Sequence, residues 1–194
     1  MSRQGDRRMQ KIIKKFDIFF INLINKKMKT KTLDRFMYWI TDRAGAIGVM
    51  KISLFLLVVG YFLSEILWRI GFQTLLSLGF GQAIIQIIKL LVKRQRPYQV
   101  MEGINTYGIE MRDYSFPSGH TAAAFTLATV MILNSWRFWY LGLILAIIIA
   151  LSRIYLGLHY PSDVCFSIIF AILASLVVDS YLMTDLVNAI IKII

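Results

Sequence analysis

The residues able to do chemistry crowd into three short stretches of this 194-residue chain. "SRIYLGLHYPSDV", residues 152–164, holds Arg153, His159 and Asp163 between two long apolar runs. If residues 159–163 are helical, His159 and Asp163 share a face at i,i+4. The carboxylate can then hold one ring nitrogen and leave the other free to attack. "FPSGHTAAAF" holds His120, the only other histidine. Pro117-Ser118-Gly119 reads there as a helix start with Ser118 as its cap, and the free backbone N–H groups of that turn suit an anion such as phosphate. "KLLVKRQRP" sets Lys89 and Arg96 seven apart, on one helix face about two turns apart, with Pro97 ending the helix.

Each stretch has a plainer reading by itself. Lys89, Lys93, Arg94 and Arg96 can be cations snorkelling at a membrane boundary, Ser118 only a cap, and Asp163 only a first-turn acid. Their joint arrangement decides otherwise, because the connections that carry them open on one membrane face and hold both histidines. Three cations and a helix N-terminus stabilise a phosphoryl group as charge builds on its oxygens. A histidine oriented by a carboxylate can be the nucleophile of a phosphohistidine intermediate. The second histidine can protonate the departing oxygen and then activate water. A magnesium or manganese route needs clustered oxygen ligands, and three neighbouring cations would repel the ion. Only Asp163 is well placed as a ligand, although Glu102, Glu110 and Asp113 keep that route open. No metal and no other cofactor is expected.

The elements that must position these groups are membrane helices. The chain is 57% hydrophobic with a mean hydropathy of +0.62, and its apolar residues fall in blocks at 44–63, 69–92, 119–134, 138–152 and 163–183. A bilayer core of about 30 Å needs roughly 20 apolar residues per helix, so the expected fold is an all-α, polytopic transmembrane bundle of five spans. A sixth span through residues 12–25 is short. Ile12, Phe16, Phe19 and Leu23 instead make those residues an amphipathic interfacial helix, and Asp17 interrupts the apolar run that a signal peptide would need. Glycines at 45, 48, 60, 71, 79 and 81 allow close helix packing. The only long connection, residues 93–118, is the kind of loop that carries function. The expected organisation is a basic interfacial segment at 1–43, a membrane domain at 44–183 and a tail at 184–194.

The net charge is +11, and twelve basic residues precede residue 44. Leading into a membrane domain, they point to anionic lipid headgroups and not to nucleic acid. The lone Cys165 excludes an internal disulfide.

Lys89…Arg96-Pro97, Pro117-Ser118-Gly119-His120 and Ser152-Arg153…His159…Asp163 resemble, in residue type and spacing, the three-part signature of the type 2 phosphatidic acid phosphatases. The resemblance spans roughly residues 33–183 and implies a metal-independent lipid phosphatase. His159 would be the nucleophile, Asp163 its orienting partner and His120 the general acid/base. Lys89, Arg96, Ser118, Gly119 and Arg153 would bind phosphate. Family members are usually six-span bundles, from which the short first segment departs. Size and layout look like the small bacterial undecaprenyl-diphosphate phosphatases, with a site in the cell membrane facing away from the cytoplasm. The positive-inside rule, applied to the basic N-terminal region on the same face, argues for the cytoplasm. The rival substrates are phosphatidic acid and phosphatidylglycerol phosphate, and the rival class is a non-catalytic lipid-phosphate binder or transporter.

Overall fold

A computed structural model describes residues 3–43 and 45–183. The described elements are all helical. Helix α1, Arg3–Ile21, runs on through a π-helical turn at Asn22–Lys27, and α2 spans Lys31–Arg43. The apolar helices follow: α3 (Ala46–Leu63), α4 (Glu65–Val92), then, after the short α5 (Pro97–Val100), α6 (Gly119–Leu133), α7 (Trp139–Tyr155) and α8 (Pro161–Val178).

These five apolar helices stand where the apolar blocks predict them. Three are long and apolar enough to cross a bilayer, while α6 and α7 are shorter, at 15 and 17 residues. Apolar side chains such as Phe55, Phe62 and Leu63 point outward from α3. In a multi-pass membrane protein that surface meets lipid, which supplies no reason to hide it. The centre is α6, which touches α3, α4, α7 and α8 and is buried without a break from Thr121 to Met131. A helix apolar on every side belongs at such a centre. Its run of small residues, Ala122-Ala123-Ala124, lets the neighbours close in.

α3 and α4 form an antiparallel hairpin about the single residue Ser64. Their close approach depends on two of the expected glycines: a Cβ would fall 2.1 Å from the Trp68 nitrogen at Gly60, and 2.5 Å from the Leu57 nitrogen at Gly71. Gly79, expected to do the same, faces open space.

The N-terminal segment docks on the bundle through its polar face. Its apolar stripe is outward, with Ile12 55% and Phe19 62% exposed, whereas Asp17, Ile21 and Asn25 are buried against the bundle. Asp17, which in the sequence argues only against a signal peptide, is the residue by which the helix docks. α1 packs on α8 and α2 on α7, so this segment covers the end of the bundle that carries the long loop. Asn25 donates to the carbonyls of Asn105 and Tyr155 and accepts from the Asn105 N–H. Lys26 donates to the Glu102 carbonyl and Tyr107 to the Asp34 carboxylate. At Gly157, with φ of +62°, a Cβ would also strike Ile104 at 2.2 Å, so this turn and the long loop fit together only around a glycine. The expected boundary at residue 44 and the tail at 184–194 lie outside the described residues.

Candidate active site

Lys89 sits in the last turn of α4, but Arg96 does not continue that helix. Lys93 takes a left-handed conformation (φ 50°) that ends α4, and Arg96 is the extended residue before Pro97 and α5. The two cations were expected on one helix face; they converge instead because the chain turns back. Pro97 disfavours helical backbone at Arg96, and the guanidinium thus enters the bundle from the loop.

His159 lies in the turn between α7 and α8, not in a helix. Its Nδ1 is 2.6 Å from the Ser115 carbonyl, an acceptor only, so Nδ1 carries the proton. In the neutral ring Nε2 is then the bare nitrogen, and it lies 3.1 Å from Arg96 Nη1. Burial, then the charges of Arg153, Arg96 and Lys89, hold the imidazole pKa well below its ordinary value, against a smaller upward pull from the Ser115 hydrogen bond. The ring is held neutral, the form in which Nε2 keeps its lone pair.

The expected bond between His159 and Asp163 is absent. Nδ1 lies 3.8 Å from Asp163 Oδ2, beyond hydrogen-bond distance. Asp163 is in the first turn of α8, and its carboxylate returns to the Tyr160 N–H at 2.9 Å, as capping geometry requires. It also accepts from the Ser115 hydroxyl and from Arg94, each at 2.5 Å. Asp163 thus reaches His159 through Ser115, whose side chain it holds and whose carbonyl takes the imidazole proton.

Arg94, read above as a boundary cation, joins this network. It bridges Asp163 to the buried Asp17 of α1 at 2.6 Å, and Asp17 also accepts from the N–H and hydroxyl of Ser162 at 2.9 and 2.8 Å.

Ser118 caps α6. Its hydroxyl pairs with that of Thr121 at 2.9 Å and its N–H donates to Ser167 at 2.8 Å. Fully buried, Ser118 holds the helix end on which Gly119 and His120 stand. Gln82 Nε2, at 3.1 Å from the Gly119 carbonyl, ties the same end to α4. His120 faces the backbone of Gly45 so closely that a Cβ there would lie 2.7 Å from its Nε2.

Arg153 is buried, with one contact to Thr41 Oγ1 at 3.2 Å, and its Nε and Nη2 have no partner among the described residues. Thr41 hydrogen-bonds Ser152 at 2.6 Å, fixing α2 to α7 beside it. A buried guanidinium with unused donors is set up for an anion. Lys89, Arg96, Gly119, His120 and His159 line one cavity of about 720 Å³, which Arg43, Lys51 and Asp113 also border. Arg153, Ser118 and Asp163 are buried behind it.

Sequence reasoning missed Asp17, Thr41, Gly45, Arg94 and Ser115 as parts of this site. Asp113, which it held open as a metal ligand, is instead bound by Lys89 and by Arg96 at 2.5 Å.

The chain is similar to several known proteins. Residues 70–185 match the model of the PAP2 superfamily. The undecaprenyl-diphosphatase of Sulfolobus acidocaldarius is 33% identical over 99 residues, covering 50% of this chain and 47% of that one. The chain spans about half the length of the curated relatives it matches. Among crystal structures, Aquifex aeolicus LpxE superposes with a TM-score of 0.74 at 25% identity, covering 85% of this chain and 95% of that one. A transmembrane PAP2-type phosphatidylglycerolphosphate phosphatase of Bacillus subtilis shares the fold, with a TM-score of 0.69 at 19% identity over 90% and 86% of the two chains. With its three signature stretches gathered at one cavity inside the matched helices, the chain belongs to the PAP2 superfamily.

Proposed function

We propose that the protein is a membrane lipid phosphatase that works through a phosphohistidine. A phosphoryl group between Lys89, Arg96, Arg153 and the α6 N-terminus is attacked by Nε2 of His159. His120 protonates the lipid oxygen as it leaves and then takes a proton from the water that frees phosphate. The cations bear the charge that grows on the phosphoryl oxygens, so no metal is called for. The observation that carries this reading is the 2.6 Å approach of His159 Nδ1 to the Ser115 carbonyl, an acceptor that calls for the proton on Nδ1 and so leaves Nε2 unprotonated in the cationic cavity.

The substrate proposed is undecaprenyl diphosphate, converted to undecaprenyl phosphate. Its support is the name of the Sulfolobus relative together with Arg43 and Lys51, two cations at the cavity beyond those of the signature. They suit a second phosphate, and the lipid tail would lie along the apolar helix faces. The deciding experiment is phosphate release by purified protein in detergent with excess EDTA. Undecaprenyl diphosphate would be offered beside phosphatidic acid and phosphatidylglycerol phosphate, with His159→Ala as control. EDTA-resistant release lost in the variant is expected, fastest from the diphosphate. Faster release from a monophosphate would reassign the substrate, and tight binding with no release would make the protein a lipid-phosphate binder.

The same reading takes the basic residues of α1 and α2 as contacts for anionic headgroups and sets the site on the extracytoplasmic face of the cell membrane. Family resemblance supports that side, while the positive-inside rule favours the other. Labelling of Glu102→Cys from each side of intact cells, in a Cys165→Ser background, decides between them.

A further inference from the structure

Arg96 has five N–H donors, and all five are spent. Nε donates to the Asp113 carbonyl at 2.9 Å, Nη1 to the Leu158 carbonyl at 2.7 Å and to Nε2 of His159 at 3.1 Å. Nη2 donates to Asp113 Oδ1 at 2.5 Å and to the Tyr114 carbonyl at 3.3 Å. Lys89 is engaged too, with its ammonium on the other oxygen of the same carboxylate. Two buried cations of the phosphate cradle thus face one carboxylate, from a side chain 41% exposed on the long loop. Arg153, by contrast, keeps Nε and Nη2 without a partner among the described residues.

A carboxylate spanning two cations presents what a phosphoryl group would present there: two anionic oxygens on charged N–H donors. Both cannot hold the same donors. We propose that Asp113 is a built-in competitor for the phosphate cradle, displaced when a phosphoryl group enters and returning as inorganic phosphate leaves. This rests on the phosphatase reading and adds to it a residue that sets the affinity of the site for phosphate. Arg153, whose Nε and Nη2 have no partner among the described residues, is the cation that the carboxylate does not occupy, and Lys89 and Arg96 are handed over as the carboxylate swings toward the loop side. Loss of the Nη2 contact also lets Arg96 turn toward phosphate and release the lone pair of His159 for attack. The loop position suits this exchange, since the side chain can leave without moving a helix. The empty cradle is never left as an uncompensated pair of buried positive charges.

The test is orthophosphate binding, by isothermal titration in detergent, to the wild type, Asp113→Asn and Asp113→Ala, each shown to be monodisperse. The competent, open state is a minor population in the wild type, so removal of the competing charge should tighten binding by roughly ten-fold or more. Asp113→Glu, which keeps the charge, should stay near wild type. Phosphate affinity that is unchanged or weaker in both the Asn and Ala variants overturns the proposal, as does an absence of phosphate binding throughout. The readout needs no turnover, so failure here is separate from failure of the phosphatase reading, which lipid hydrolysis judges.

Discussion

His159 and Asp163 are joined through Ser115: the carboxylate takes the serine hydroxyl at 2.5 Å, and the serine carbonyl takes the imidazole proton at 2.6 Å. The proton on Nδ1, and with it the bare Nε2, is set by a backbone oxygen that no side-chain substitution at position 115 removes. Ser115→Ala should therefore keep the tautomer but loosen its support. We expect kcat to fall by about ten-fold with KM little changed, within the range for groups that orient a first contact. Asp163→Asn should cost more, because it also weakens the start of α8 and the hold on Arg94. Steady-state kinetics of the two variants check this, and a Ser115→Ala enzyme as slow as Asp163→Asn would count against the relay.

His159→Ala should lose at least about a thousand-fold in kcat, as expected when a nucleophile is removed, while still binding orthophosphate or a lipid phosphate. An equally active variant would remove His159 from the mechanism.

The pH dependence follows from the depressed pKa of His159. In the proposed mechanism neutral imidazole is the attacking form, and it is retained as pH falls through the ordinary value near 6.5, so kcat/KM should show no His159-dependent loss there. The stability sign is opposite. Below that value the unfolded chain binds a proton that the folded site refuses, so stability falls as pH drops from about 6.5 toward the folded pKa. Asp113 adds to this at lower pH. Burial acts to raise its pKa, but hydrogen bonds and charge from Lys89 and Arg96 outweigh burial and hold it at about 2. Its contribution is present above its ordinary pKa near 3.8 and fades as pH falls toward 2. Rate profiles between about pH 4.5 and 8, with thermal unfolding carried on down to about pH 2, would separate the two contributions.

Gly45 touches the other histidine. A Cβ at that position would lie 2.7 Å from Nε2 of His120, so Gly45→Val should push the ring away and leave the helices intact. A displacement of about 1 Å can cost on the order of a hundred-fold in rate. The measurement is kcat beside orthophosphate affinity, the first falling and the second held.

Asp17 tests the docking of the first helix. It is buried and accepts from Arg94 and Ser162, so Asp17→Ala leaves a guanidinium and an N–H without their acceptor. The expected cost is about 3 kcal/mol, seen as a lower unfolding temperature in micelles. Activity should fall as well, because Arg94 also holds Asp163. A variant as stable as the wild type would show that α1 does not depend on this pair.

The five apolar helices and the residues of the signature could be read from the chain, because hydropathy blocks and fixed spacings are local properties. What stayed hidden depended on direction. The stripe of Ile12, Phe16 and Phe19 marks one face of α1, but in a bilayer the apolar face turns outward, and Asp17 and Asn25 on the other face make the contacts. Arg94 looks like any boundary cation until α1 brings Asp17 to it across 77 positions. The partner of His159 was misplaced because i,i+4 spacing implies contact only inside a helix, and this turn becomes helical at Pro161, after the histidine. Ser115 and Thr41 carry no pattern at all; only the folded chain places one against Asp163 and the other against Arg153.

The outward apolar face of α1 and its inward Asp17 tie the first helix to the cavity end of the bundle through Arg94 and Asp163. On the function proposed above, with that face resting at the acyl boundary, the same tie refers the depth of the cavity to the membrane surface. A lipid phosphate would then meet His159 at the level where it already rests and would not have to be lifted out of the bilayer.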